Sequence, residues 1–197
     1  MFSVNKGYIA FAFAWALCSC AGTDFVRPDP GSLRNGETTY AQTIQRLGKP
    51  FREGTIVKND QTIKTLSYAY ASVGGKPLHD GAIAARALGL YFYNDVLVGH
   101  EFVSSWSDDN TDFDESKVGQ IAKGKTTRSE LVQLLGKQSG YFINPMIKSK
   151  EGDATVYVFS EVQGGVFNRK VFRKVLVVTF DSNGVVSDVE FSSSGSS

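Results

Sequence analysis

The chain is poor in the residues that mark disulfide frameworks, metal sites and nucleic-acid surfaces. Its 197 residues include two cysteines and two histidines, and 21 basic residues nearly balance 20 acidic ones, for a net charge of +1. Two cysteines two positions apart cannot staple a fold, so stability must come from a hydrophobic core. Nucleic-acid binding needs a strongly basic face, which this balance argues against. With 42% hydrophobic and 21% charged residues, the composition fits one ordinary globular domain or two small ones.

Long apolar runs are also scarce, since the most apolar stretch, residues 8–17, covers about ten positions. A membrane-spanning helix needs about 20 apolar residues, whereas about ten suit the core of a signal peptide. The run ends in Leu17-Cys18-Ser19-Cys20, which resembles the bacterial lipobox. This motif predicts cleavage before Cys20 and lipid attachment to its thiol. The alternative is a plain secretory leader that ends near Ala21.

Lipidation would fix the protein to a membrane through Cys20. The motif implies a diacylglycerol on the sulfur and a third acyl chain at the new amino terminus, and several chains anchor firmly where one binds only marginally. Ala21 stands where an aspartate would favour the inner membrane in many bacteria, so we expect an outer-membrane protein that faces the periplasm. The leader would be residues 1–19, and residues 20–35, which contain Pro28 and Pro30, would be a lipidated tether.

Self-similarity is the strongest signal in the remaining chain. The segment GETTYAQTIQRLGKP begins at Gly36, and the related GKTTRSELVQLLGKQ begins at Gly124, 88 positions later. Further matches keep the same order with an offset that drifts by about two residues. This pattern predicts two copies, at residues 36–106 and 115–194, joined by an acidic linker at 107–114.

Each copy opens with a capped helix. Thr39 and Thr127 are followed three positions later by Gln42 and Glu130, which is the spacing of the capping box. A glycine follows each apolar stripe, where a left-handed C-cap is expected. A short extra helix is expected around residues 118–122.

Strand patterns follow each helix. In the second copy they cover residues 155–162, 171–180 and 185–191, with an Asn-Gly turn before the last; in the first copy they cover 63–71, 88–92 and 96–103. We therefore expect an α+β fold: two tandem helix-helix-three-strand antiparallel meander units, each in two layers with its helices on one face of its sheet. The strand at 175–180 is apolar on both faces, so its second face should meet either the other copy or a separate protein.

The second copy carries a family resemblance. Residues 121–136, followed by 175–181 and Gly184-Val185, resemble the SmpA/OmlA family of small outer-membrane lipoproteins, which includes BamE-like accessories of the β-barrel assembly machine. The first copy matches less fully, since it has Asn35 in place of a lysine and lacks the turn glycine. Because members of this kind usually carry one unit, the tandem resembles the architecture of the β-lactamase-inhibitory protein instead.

The resemblance implies a non-catalytic outer-membrane lipoprotein that supports envelope integrity or outer-membrane protein assembly by binding proteins, with the barrel-assembly machine as one expected partner. The tandem arrangement implies an alternative, which is a binding or inhibitory module for a periplasmic or secreted enzyme. Fold analogy does not choose between the two.

The sequence shows no catalytic constellation, cofactor motif or small-molecule substrate site. His79 and His100 stand apart from any metal-type spacing, and we expect both at the surface or in turns. The acidic run from Asp108 has some calcium-ligand spacing, but Phe113 occupies the position that requires glycine. We interpret the run as a solvated linker.

A basic cluster is the candidate contact site. It comprises Arg169, Lys170, Phe172, Arg173 and Lys174. Such a cluster can bind anionic lipid head groups or an acidic partner. The alternative is a solvated hairpin whose basic residues protect a sheet edge from aggregation.

Overall fold

The computed structural model describes residues 22–29, 31–164 and 168–195. The predicted leader and Cys20 lie outside this range. Within it, no helix is both long and apolar enough to cross a membrane.

One antiparallel sheet of eight strands forms the body of the molecule, and the strands lie side by side in chain order. Every pairing is therefore between strands that are neighbours along the chain. The strands are β1 (Arg52–Lys58), β2 (Gln61–Ser72), β3 (Ala84–Tyr93), β4 (Val96–Ser104), β5 (Gly140–Ile143), β6 (Asp153–Gln163), β7 (Lys170–Phe180) and β8 (Val186–Ser194).

Two short α-helices precede the two groups of four strands. They are α1 (Tyr40–Leu47) and α2 (Arg128–Leu135), and both begin with the predicted capping box, which is confirmed. Glu115–Gln120 forms a 3₁₀ helix where a short extra helix was expected. The first half has no counterpart to it in residues 31–39.

The prediction of two α+β units, each with its own three-stranded sheet, is wrong. The fold is mostly β, with one eight-stranded sheet. β1 and β5 add a fourth strand to each group, and β5 joins the two groups because it pairs with both β4 and β6. Neither strand has a readable apolar pattern: β1 is exposed along its whole length, and β5 has four residues. A strand this short is defined by its neighbours rather than by its own sequence.

Equivalent hydrogen bonds hold each helix to the strands that follow it. In both halves a tyrosine hydroxyl donates to the carbonyl of the glycine that ends the helix, and the N–H of a glycine ahead of the helix donates to the last strand of that group. The bonds are Tyr68–Gly48 (2.8 Å), Tyr157–Gly136 (3.1 Å), Gly36–Leu97 (2.8 Å) and Gly124–Val186 (2.7 Å).

The core is divided between the two faces of the sheet. On the face that carries the helices, hereafter the helix face, α1 packs on a cluster around Leu90 and Phe92, and α2 packs on a cluster around Leu176 and Phe180. The opposite face, hereafter the helix-free face, has a third cluster to which both halves contribute and which contains no residue of either α-helix. The second apolar side of β7, at Val175 and Val177, packs on this third cluster. That outcome matches the first of the two alternatives, contact with the other half.

Candidate functional site

The helix-free face is the candidate site, and strand alternation determines its side chains. On β3, the even-numbered residues from Arg86 to Phe92 are buried under the helix face. The intervening residues are small up to Gly89, and then comes Tyr91. Direct pairing places Ala69 and Val103 beside Ala87 on the same side. Large side chains therefore fill one face of β3 while small ones leave the other face low.

One end of the helix-free face is closed. Met146 and Ile147, from the loop after β5, are 5% and 6% exposed and pack with Phe142 against buried valines of β4 and β6. The amide of Asn59, in the turn after β1, donates to the Pro145 carbonyl at 2.9 Å and ties the two halves together here. This end serves as core.

The other end is open and forms a groove of about 240 Å³. Four alanines form its floor, two on β2 and two on β3, and Val103, Ser160 and Val162 form the far wall. Phe51 stands at its rim with 68% of its surface exposed. Alanines, rather than larger side chains, keep this groove empty. Its lining residues are Phe51, Ala69, Tyr70, Ala71, Ala85, Arg86, Ala87, Val103, Ser160, Glu161 and Val162.

A buried carboxylate lies on the same face between the two ends. Glu101, with a side chain 13% exposed, accepts a hydrogen bond from the Tyr91 hydroxyl at 3.0 Å, and the Arg173 guanidinium lies 3.9 Å from the same oxygen. Burial raises the pKa of Glu101, and Arg173 and the Tyr91 bond partly oppose that shift. Burial, followed by the nearby Glu101 charge, raises the pKa of Tyr91. Glu101 thus offers a hydrogen-bond acceptor on the helix-free face, two residues along β4 from Val103, which lines the groove.

The predicted basic cluster is split between the two faces because it lies along one strand. Arg173 points with Val175 and Val177 to the helix-free face, whereas Lys174 and Phe172 pair with Phe159 and Glu161 on the helix face. Arg169 and Lys170 are exposed at the start of β7. The five residues of the predicted cluster are close together in the sequence, but in the structure they do not form one basic patch.

Lys174 is engaged inside the protein. Its ammonium group is 2.8 Å from a carboxylate oxygen of Asp112 and donates to the Phe113 carbonyl at 2.6 Å, and its side chain is 19% exposed. The acidic linker therefore meets the basic strand. This contact joins residues about 60 positions apart, so spacing along the sequence gave no signal of it.

The two histidines differ in environment. His79 lies in the β2–β3 loop, half exposed, with Nδ1 2.9 Å from a carboxylate oxygen of buried Glu161. His100 is in the middle of β4, so its prediction as a surface or turn residue is wrong. Burial lowers the pKa of His100 to about 4, which keeps the imidazole neutral at pH 7. Its Nδ1 is 3.4 Å from the Asn35 side-chain oxygen.

The acidic linker is also tied to the sheet by an arginine that the sequence did not single out. Arg86, 8% exposed, donates from Nε to Asp109 at 2.9 Å and from Nη1 to Asp24 at 3.2 Å, and it lies over the Trp106 ring at 4.6 Å. Among the described residues, no group of three or more His, Cys, Asp or Glu side chains is placed to hold a metal ion.

The segment before α1 packs on the helix face. Besides the Asp24 ion pair, Phe25 meets the Phe102 ring edge-on at 6.3 Å, and the Arg27 guanidinium lies over the same ring at 5.0 Å. These contacts hold residues 24–27, part of the segment assigned to the tether, against β3 and β4.

No protein-family model matches this sequence, and no curated protein matches it significantly. The SmpA/OmlA resemblance therefore has no support from such a match. A crystal structure of a "putative beta-lactamase inhibitor protein" from Streptococcus mutans is a distant structural neighbour, with 13% sequence identity and a TM-score of 0.38. The similarity covers 79% of this chain and 82% of that chain. At this distance it does not determine the function of this chain.

Proposed function

We propose that this chain is a non-catalytic protein-binding module that holds an enzyme partner against its helix-free face. The observation that carries the proposal is the open groove floored by alanines, with exposed Phe51 at its rim and the Glu101 carboxylate beside it. Both helices and residues 24–27 pack on the other face and therefore do not cover this groove.

The groove has the features of an interface centre rather than a reaction site. Interface centres are apolar, contain aromatic anchors and exclude isolated charges. Here Phe51 is the aromatic anchor, and both buried carboxylates have partners: Tyr91 and Arg173 lie against Glu101, and His79 lies against Glu161. A partner loop that carries a small apolar residue for the groove and a basic residue for Glu101 is the complement that this surface fits.

The experiment is a binding and inhibition assay against purified periplasmic and secreted hydrolases, β-lactamases among them, with two matched variants. Ala87→Arg places a long charged side chain in the groove, and Val132→Arg places the same side chain on α2, where Val132 is 42% exposed. We expect Ala87→Arg to weaken complex formation at least about tenfold, or ~1.4 kcal/mol, and Val132→Arg to leave it unchanged.

Both variants should retain the melting temperature of the unmodified protein, since both sites are on the surface. Equal loss of binding in the two variants would place the contact elsewhere. A panel in which no hydrolase forms a complex or loses activity would remove the enzyme-binding proposal.

We further propose that the module is anchored to the outer membrane through Cys20 and supports envelope integrity or outer-membrane protein assembly there. The support is the Leu17-Cys18-Ser19-Cys20 motif after a short apolar run. Exposed Arg169 and Lys170 at the start of β7 would then contact anionic head groups, each contributing about 1 kcal/mol near such a surface.

Mass spectrometry of the mature amino terminus tests the anchor. We expect an acylated peptide that begins at Cys20 and its loss in Cys20→Ala, with the protein released from the membrane fraction. A mature chain that begins at another residue without acyl mass contradicts the anchor while leaving the binding proposal intact.

A further inference from the structure

Among the described residues, Arg27 is a half-buried cation with one nitrogen atom that makes no hydrogen bond. The Nη2 atom of Arg27 is inaccessible to solvent and has no hydrogen-bond partner among the described residues. Burial lowers the pKa of Arg27, and the Asp109 charge opposes that shift. An arginine stays charged in proteins, and an unsatisfied buried donor is costly, more so when it is charged. A native structure normally resolves such a defect with an ordered water or a ligand.

The cation borders an open cavity on the helix face. The cavity has a volume of about 280 Å³ and lies between the segment before α1 and the start of β5. Leu33, Leu88 and Phe102 supply apolar walls, and all three are nearly fully buried. A pocket with apolar walls and few polar groups is the usual form of a small-molecule site.

The charges around this cavity favour an anion. Arg27 and Lys137 line it, against one carboxylate, that of Asp29. His100 also lines it and is neutral at pH 7. Because the Asn35 amide nitrogen donates to the Tyr141 carbonyl at 3.0 Å, its oxygen is left to accept from the His100 Nδ1–H, although that contact is long at 3.4 Å. The His100 ring therefore adds no charge. Arg27 and Lys137 together outweigh Asp29 by one positive charge.

We propose that this cavity binds a small carboxylate with an apolar body, which pairs with the Arg27 guanidinium while its hydrocarbon part contacts Leu33, Leu88 and Phe102. The binding site is separate from the helix-free groove and lies on the opposite face of the sheet. At about 30 Å³ for each water-sized group, the volume holds roughly nine such groups. A medium-chain fatty acid has that size and that division into charged and apolar parts.

The experiment titrates octanoate and its neutral isostere octanamide into the full-length protein and follows backbone amide resonances by NMR. We expect octanoate to bind about tenfold more tightly than octanamide, because a hydrogen bond to a charged partner is stronger than one to a neutral partner. The shifts should be concentrated at His100, Ser139 and Gly140. Octylamine, with the opposite charge on a similar tail, should not compete.

Two variants assign the preference to the cation. Arg27→Gln should weaken octanoate binding about tenfold and change octanamide binding less than twofold, so the preference disappears. Arg52→Gln is the matched control, since Arg52 is exposed on β1 outside this cavity, and it should retain the preference. Arg52→Gln should keep the unmodified melting temperature, and Arg27→Gln should lower it only slightly, since the variant loses the contact of the guanidinium with the Phe102 ring.

Three results would overturn the proposal. Octanoate and octanamide could bind equally, the shifts could lie away from the cavity, or Arg27→Gln could keep the preference for the carboxylate. Any of these means that the cavity does not select a carboxylate through Arg27. Binding to hydrolases is measured separately, and its failure would not affect this result.

Discussion

The two halves of the sheet hold their helices through equivalent hydrogen bonds but bury the side chains of those helices to different extents. α2 places Leu131 and Leu135 in the core, with 0% and 8% of their surfaces exposed, whereas α1 buries Thr43 and leaves Leu47 38% exposed. The first half, like the second with Phe113, completes its core with residues that precede its helix, among them Leu33. It also contains a cavity of about 450 Å³ between α1 and that preceding segment. The second half is thus the firmer scaffold, and the first half has room to adapt.

The largest expected effect comes from replacing one apolar side chain on each helix with alanine. Leu131→Ala should reduce the free energy of unfolding by about 2–5 kcal/mol, the range for a fully buried leucine. Ile44→Ala, at a half-buried position on α1, should cost roughly half as much, because less apolar surface is removed from the core. Urea unfolding monitored by circular dichroism measures both. Equal losses would mean that α1 is as firmly seated as α2.

The second comparison is between the first residues of β1 and β5, which are 88 positions apart. A Cβ at Gly140 would lie 1.9 Å from the His100 carbonyl oxygen, so Gly140→Ala should destabilise the protein by about 1–3 kcal/mol through overpacking. Arg52 is exposed, and Arg52→Ala should change stability by less than about 0.5 kcal/mol. Thermal unfolding of the two variants tests this, and a tolerated alanine at position 140 would show that β5 can shift away from β4.

The smallest effect distinguishes the two capping boxes by pH. Hydrogen bonds from the Thr127 N–H and hydroxyl lower the pKa of Glu130, so its contribution is complete above the unfolded value of about 4.3 and is lost as pH falls through the lower folded value. Gln42 does not titrate. The Thr127 amide resonance should therefore move on acidification while that of Thr39 stays in place, and Glu130→Gln should abolish the movement. Parallel titration of both amides would contradict this assignment.

Local patterns were readable from the sequence because local contacts create them. Each capping box depends on two residues three positions apart, and the Asn183-Gly184 turn depends on adjacent residues. The strand positions followed from apolar and β-branched runs. These features needed no knowledge of the rest of the fold.

The joined sheet and the two proposed binding surfaces could not be predicted because they depend on distant pairings. β5 becomes a strand through Gly99 and Ala154, on either side of Phe142. The sequence did not single out Arg27 as a candidate binding residue, because a lone arginine in a proline-containing segment is common and its surroundings are known only from the structure. The alanines of the groove are likewise unremarkable in a strand, and their meaning comes from the larger side chains around them.

The approach of Gly22 to the sheet has a consequence for the anchor. A Cβ at Gly22 would lie 2.0 Å from the Ala69 carbonyl oxygen, so the chain runs against β2 at this point. Cys20 precedes it by two residues, which span at most about 7 Å of extended chain. If acyl chains are attached to Cys20, the end of the sheet beside Ala69 would lie near the bilayer. The molecule could rotate about that end but could not move far from the lipid.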